Sequence, residues 1–196
     1  MADHAEFIKR MIEESVESKR RLLSEMTDRI SSCAITITKA LRSGGKVLLC
    51  GNGGSAAEAQ HLASELIGRL WRLERPPISA IALTTDTSIL TSLSNDFGFD
   101  EVFVRQIKGL GKPDDVLIAI STSGNSPNLV RAAQAARESQ MYSIGLLGST
   151  GGKLLEMVDD HVLVPSEAAP RIQESHHLLT HIFASIIEEE LYGEGN

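Results

Sequence analysis

The stretch Val47-Leu48-Leu49-Cys50-Gly51-Asn52-Gly53-Gly54-Ser55-Ala56 decides the fold, because four apolar residues run straight into a glycine- and serine-rich turn. An unbroken apolar run of this length reads as a strand covered on both faces, as in a parallel sheet; the turn then lies at the strand's carboxyl end and opens a helix. The pattern returns at Val116 to Ile120, followed by Ser121-Thr122-Ser123-Gly124-Asn125-Ser126. Parallel sheets bind their ligands at that edge. Glycines there let the backbone approach an anion, hydroxyls donate to it, and a helix N-terminus adds unpaired N–H groups and partial positive charge. Two such turns imply one phosphate-binding pocket. Its hydroxyl donors are Ser55, Ser121, Thr122, Ser123 and Ser126, with Asn52, Gly53 and Gly54 supplying backbone or amide contacts.

Upstream, apolar residues recur at helical spacing from about Ala5 to Leu41, which predicts one or two long helices ended by Ser43-Gly44-Gly45. Downstream the chain alternates. A helix over 56–70 is followed by a strand over 78–84, a short helix over 87–93, a loop over 94–100 and a helix over 101–110. The strand over 116–120 then leads to a helix that Pro127 starts, strands over 142–147 and 161–164, and a last helix from Gln173 to Leu191, with Glu188-Glu189-Glu190 as its solvated end. Strand–helix units without hairpin signals imply an α/β fold: a three-layer, doubly wound, five-stranded parallel sheet of the flavodoxin-like kind. A single domain is expected over 1–196, with 1–42 the helical segment and 46–192 the α/β core. The N-terminal helix carries more apolar positions than one sheet face needs. It either packs on the sheet or forms an oligomer contact.

The 196 residues are 42% hydrophobic, and 19 basic against 26 acidic residues leave a formal charge of −7. No basic cluster exceeds Lys19-Arg20-Arg21, so there is no footprint for a nucleic-acid backbone, and a small-molecule ligand is expected instead. Cys33 and Cys50 sit in apolar contexts without metal-like spacing and read as reduced core thiols. The acidic start Met1-Ala2-Asp3-His4-Ala5-Glu6 does not follow the plan of a signal peptide, and no apolar stretch approaches the ~20 residues of a membrane span. A cytoplasmic protein without membrane contact is expected.

Gly51-x-Gly53-x-x-Ala56 also meets the loose dinucleotide fingerprint, but the nearest acidic candidate, Asp86, comes about 30 positions on instead of about 20. Neither turn carries the Gly-Lys-Ser/Thr ending of a nucleoside triphosphate loop. Two hydroxyl-rich turns fit a phosphosugar better. A third turn, Gly148-Ser149-Thr150-Gly151-Gly152, reads as a connecting loop. His61 and Glu65, four apart on the helix after the first turn, share a face and suit a divalent metal or an acid–base pair. Gln173 and His181 are eight apart, on roughly one helix face but separated by about 12 Å of rise. Either Gln173 lies outside the regular helix or neighbouring subunits share the site. His176 and His177 compete with His181 for a catalytic role.

Joined together, Gly51 to His61, Thr84-Thr85-Asp86-Thr87-Ser88, Asn95-Asp96-Phe97-Gly98, Ser121 to Ser126 and Arg171-Ile172-Gln173-Glu174 through His181 closely resemble the phosphoheptose isomerase family of the sugar isomerase (SIS) fold. The likeness covers almost the whole chain. It implies conversion of sedoheptulose 7-phosphate to D-glycero-D-manno-heptose 7-phosphate, the first step toward heptose units of lipopolysaccharide or other surface glycans. It also implies a homotetramer with active sites at subunit interfaces and one Zn²⁺ per subunit. Its pattern makes His61, Glu65, Gln173 and His181 the zinc ligands and Glu65 and His181 the catalytic pair. Asn52, Gly53, Gly54, Asn95, Asp96, Ser121, Thr122, Ser123, Ser126 and Gln173 match its substrate contacts. Pro170 stands where some members carry an aspartate, so any part that residue plays is missing here. Relatives that bind the bacterial replication initiator without catalysis, and isomerases of other phosphosugars, are the alternatives. Intact Glu65, His181, His61 and Gln173 favour the enzyme.

Overall fold

The computed structural model describes residues 4–193; the outermost three positions at each end of the expected domain, with the Met1-Ala2-Asp3 start, lie outside it. The chain runs α1 (His4–Arg42), β1 (Val47–Gly51), α2 (Gly54–Ile67), β2 (Ala80–Ala82), α3 (Thr87–Phe97), α4 (Val102–Leu110) and β3 (Val116–Ser121). It continues through α5 (Pro127–Glu138), β4 (Tyr142–Leu147), β5 (Asp160–Leu163) and α6 (Ala169–Tyr192). The five strands are parallel in the order β2-β1-β3-β4-β5. This is the doubly wound α/β sheet expected from the alternation.

Each strand's two faces feed two cores. Val47, Leu49, Ile118, Ile120, Ile144, Leu146 and Val162 pack under α1, α2 and α6, while Leu48, Cys50, Leu117, Ala119 and Leu147 pack under α4 and α5. Burial on both sides is why β1 and β3 read as plain apolar runs. Cys33 and Cys50 are buried free thiols, and burial pushes the Cys33 thiol up to about 12. Among the described residues no helix is long and apolar enough to cross a membrane.

The N-terminal segment is one helix of 39 residues, about 58 Å long. Its C-terminal half packs inward through Ile30, Cys33, Ala34 and Ile37, while Phe7, Ile8, Ile12, Val16 and Leu23 stay exposed. The packing reading therefore holds for the inner part of the helix, while the apolar residues of the outer part stay uncovered.

Three expectations need correction. Ser94 to Phe97 continue α3 instead of forming a loop; the Asp86 carboxylate caps the helix through the Ile89 N–H at 2.9 Å, and Gly98 at φ 87° ends it. α3 buries no residue, so its polar end carries no contrast with the rest. α6 starts at Ala169, with Pro170 in its first turn, four residues before Gln173. Finally, Glu188 is not solvated. It is 1% exposed, accepts the backbone N–H groups of Leu70, Trp71 and Arg72, and meets Arg75 Nε at 2.6 Å. Glu189 does lie in solvent, paired with Arg72.

Candidate active site

Strand order reverses between β1 and β3, which opens the crevice where doubly wound sheets take ligands. The two glycine turns flank it. The Asn52 and Asn128 amides hold the turns together by reciprocal bonds of 2.9 Å. In the second turn Ser121 Oγ accepts the Gly124 N–H and Ser123 Oγ accepts the Asn125 N–H, with Gly124 at φ 64°. Ser126 holds the N-cap position of α5 but its hydroxyl makes no capping bond, which leaves it available to a ligand. Ser55 is buried at the start of α2.

A cavity of about 360 Å³ opens beside Thr122, Ser123 and Asn125, and Ser149, Thr150 and Ser166 line its other side. The third turn, which reads as a connecting loop, also lines this cavity beside the second turn. It lies so close that a Cβ on Gly148 would fall 2.2 Å from the Thr122 carbonyl oxygen. Asn125 clasps it through the Lys153 N–H.

α2 and α6 lie side by side and run the same way. Gly54 meets Gln173, Glu58 meets His177, His61 meets His181, and the segment after α2 meets Glu188. A Cβ on Gly54 would come within 2.5 Å of Gln173 Nε2, so glycine is what lets the glutamine lie across the N-terminus of α2. Further along, His61 Nε2 stands 2.9 Å from His181 Nε2 and 3.5 Å from Glu65 Oε1. The predicted His61, Glu65 and His181 are thus brought together. Gln173 sits inside α6 beside Gly54, which removes the possibility that it lies outside the helix.

His177 does join the group. Its ring centroid lies 4.6 Å from that of His61 and 4.8 Å from that of His181, and ligand atoms of the three histidines all lie within 4.8 Å of one another, a set that could hold a metal ion. Glu58 Oε2 lies 3.1 Å from His177 Nδ1. Burial lowers the His181 pKa, the neighbouring His61 and His177 lower it further, and Glu65 and Glu58 pull the other way. The ring is therefore biased toward its neutral, ligating form. His176 is fully buried away from the crevice side of α6 that His177 and His181 share, which takes it out of the competition.

Asn95 and Asp96 lie exposed on α3 and hydrogen-bond to each other at 2.8 Å. Sequence reasoning missed Asn128, Glu58 and the inward role of Glu188. The spacing of four between His177 and His181 was a usable signal for the histidine cluster; the others depend on which helices become neighbours.

The SIS domain family model matches residues 11–148. A phosphoheptose isomerase of Azoarcus sp. (strain BH72) is 48% identical over 189 residues, 95% of this chain and 95% of its own length. Among solved structures, the phosphoheptose isomerase of Francisella tularensis superposes with a TM-score of 0.92 at 38% identity, covering 95% of this chain and 98% of that one. That of Neisseria gonorrhoeae gives 0.89 at 41%, covering 94% and 98%.

Proposed function

As the chain belongs to the SIS-domain family and, within it, to the phosphoheptose isomerases, we propose that it converts sedoheptulose 7-phosphate to D-glycero-D-manno-heptose 7-phosphate. The observation that carries this reading is a carboxylate and two imidazoles, Glu65, His61 and His181, gathered where α6 meets the helix that springs from a glycine-rich turn. Aldose–ketose isomerisation moves a proton between C1 and C2 through an enediol, which needs a base near both carbons and a group that serves the oxygens. Glu65 is the base and His181 serves the oxygens. The hydroxyls of Thr122, Ser123 and Ser126, with the N-termini of α2 and α5, hold the phosphate, and Gln173, Asn52, Gly53, Gly54, Ser55 and Ser121 complete the pocket.

The donors that lie together, two imidazoles and a carboxylate, suit zinc, and we assign one Zn²⁺ per subunit to this site. When bound, the ion supplies Lewis-acid polarisation of the sugar's carbonyl and hydroxyl oxygens. His181 Nε2 cannot carry a proton and a metal at once, so loaded and metal-free protein differ in what His181 can do. A homotetramer with active sites at subunit interfaces is supported by the exposed apolar face of α1 and by α3, which presents Asn95 and Asp96 outward with no buried residue of its own. Buried free thiols favour the cytoplasm. The product is a precursor for heptose units of lipopolysaccharide or another surface glycan.

The test is a coupled assay on purified protein with sedoheptulose 7-phosphate and fructose 6-phosphate, with and without added zinc. Heptose 7-phosphate formed selectively from the seven-carbon substrate is expected. A folded oligomer without turnover under any metal condition would leave only a binding role.

A further inference from the structure

The first two glycine turns end neighbouring strands, with Gly51 of β1 opposite Ile120 of β3, yet the helices they open pack on opposite faces of the sheet. α2 enters one core through Ala59, Leu62 and Leu66, and α5 enters the other through Leu129, Ala132 and Ala136. Core packing therefore does not tie one helix N-terminus to the other. Among the described residues, the side-chain hydrogen bonds that join the first turn to the second or to the start of α5 are the reciprocal pair between Asn52 and Asn128. We propose that Asn128 is a positioning residue for the isomerisation: through Asn52 it fixes the spacing of the two helix N-termini that hold the substrate's phosphate, without touching the substrate itself. The proposal rests on the reading of the two turns as the phosphate cradle given above.

Asn128 is placed for this task. Pro127 begins α5 and has no N–H, so Asn128 carries the first backbone amide of that helix, two residues after Ser126. Asparagine inside a helix usually competes with the backbone by bonding to it locally. Here the carboxamide instead crosses to the first turn, and the residue is 2% exposed. Each amide donates one N–H and accepts one, both at 2.9 Å, so the pair is fixed in direction as well as distance. Neither a carboxylate nor a hydrocarbon can both give and take in this way.

At the other end of the clasp, the Asn52 carbonyl accepts the Ser55 N–H at 3.0 Å, and Gly53 follows Asn52 at φ 55°. Holding Asn52 therefore holds the turn that aims the first N–H groups of α2, which have no partner within the helix. Asn52 then serves the substrate with its backbone, while its side chain faces Asn128. An anion gripped between two sets of N–H groups loses one set when the sets drift apart, so the grip depends on their spacing. The bonds within the second turn, and the one from Asn125 to the third, leave that spacing free.

The experiment measures the dissociation constant of inorganic phosphate by thermal-shift titration, and KM and kcat with sedoheptulose 7-phosphate. It compares wild type with Asn128→Ala, Asn128→Asp, Asn52→Ala and the double alanine variant. Asn128→Asp keeps the volume of the buried side chain and exchanges its donor for an acceptor, so it carries the test if truncation upsets folding, which circular dichroism checks. In Asn128→Ala the phosphate constant and KM are expected to rise together on the order of tenfold, the worth of about one neutral hydrogen bond, with kcat within about threefold of wild type. Asn128→Asp loses at least as much. The double variant stays within about twofold of Asn128→Ala, because both substitutions break the same clasp. Wild-type phosphate affinity and KM in both Asn128 variants, with only the ligand-free melting temperature lowered, would overturn the proposal. So would additive losses in the double variant, since the Asn52 side chain would then act on the substrate directly, and so would a wild type that binds no phosphate. A wild type that binds phosphate but converts no sedoheptulose 7-phosphate would sink the isomerase reading instead, and the phosphate constants would still decide whether the clasp holds the cradle.

Discussion

Glu65 lies 3.5 Å from His61, and its side chain is partly exposed, as the proposed base must be. Glu65→Gln keeps the shape and removes the proposed base, and turnover is expected to fall about 10²–10⁴-fold with little change in melting temperature. Gly54 gives a different signature. Gly54→Ala places a methyl group where Gln173 Nε2 now lies, so a rise in KM of about tenfold is expected in steady-state kinetics, equal to about 1.4 kcal/mol. His176 acts on stability. Burial pulls its pKa down to about 4, against a weaker opposing pull from the Leu147 backbone. The unfolded chain therefore binds a proton near pH 6.5 that the native one refuses until about 4, and stability drops by about 3 kcal/mol as pH falls through that window. Thermal unfolding from pH 7 to 4 should show this acid limb, and His176→Phe should flatten it. The spacing of His61 and Glu65 was readable in the sequence because one helix supplies both. Glu58, Asn128 and Glu188 were not, since each finds its partner across a distance the sequence does not encode locally.

At the scale of elements, the Glu188–Arg75 pair braces the two helices that carry the chemistry. Glu188 sits seven residues after His181 on α6 and binds the segment after α2, while Arg75 Nη2 also donates to the Glu65 carbonyl oxygen at 2.6 Å. Both side chains are almost wholly buried. Removing one partner strands a charge, so Glu188→Ala should cost about 3–5 kcal/mol in denaturant unfolding. In protein that remains folded kcat should fall as well, because the end of α2 loses its anchor. α3 stands at the other extreme: with no buried residue it should exchange its amides far faster than β1 or β3 in a hydrogen-exchange experiment. The same contrast explains what the sequence revealed. β1 and β3, covered on both faces, left unmistakable apolar runs, and the glycine turns followed them. α3 ends in the polar run Ser94-Asn95-Asp96, which passed for a loop, and α6 began earlier than its first chemically suggestive residue.

For the whole molecule, the sheet order places both glycine turns at one crevice, and α2 and α6 bring His61, Glu65 and His181 together. The doubly wound topology followed from the alternation of strands and helices. What the sequence left open, whether α1 packs or protrudes, has a divided answer: its inner half is core, while Ile12 and Leu23 remain 59% and 71% exposed. Light scattering should therefore find an oligomer, and Ile12→Glu with Leu23→Glu should shift it to smaller species with the secondary structure retained. The most direct test of the central claim, isomerisation of a phosphoheptose by proton transfer at Glu65, is to follow sedoheptulose 7-phosphate by NMR in D₂O with wild type and Glu65→Gln. The expected result is heptose 7-phosphate carrying deuterium at C2, formed at least about 100-fold more slowly by the variant. No heptose 7-phosphate, or a Glu65→Gln enzyme as fast as wild type, would contradict it.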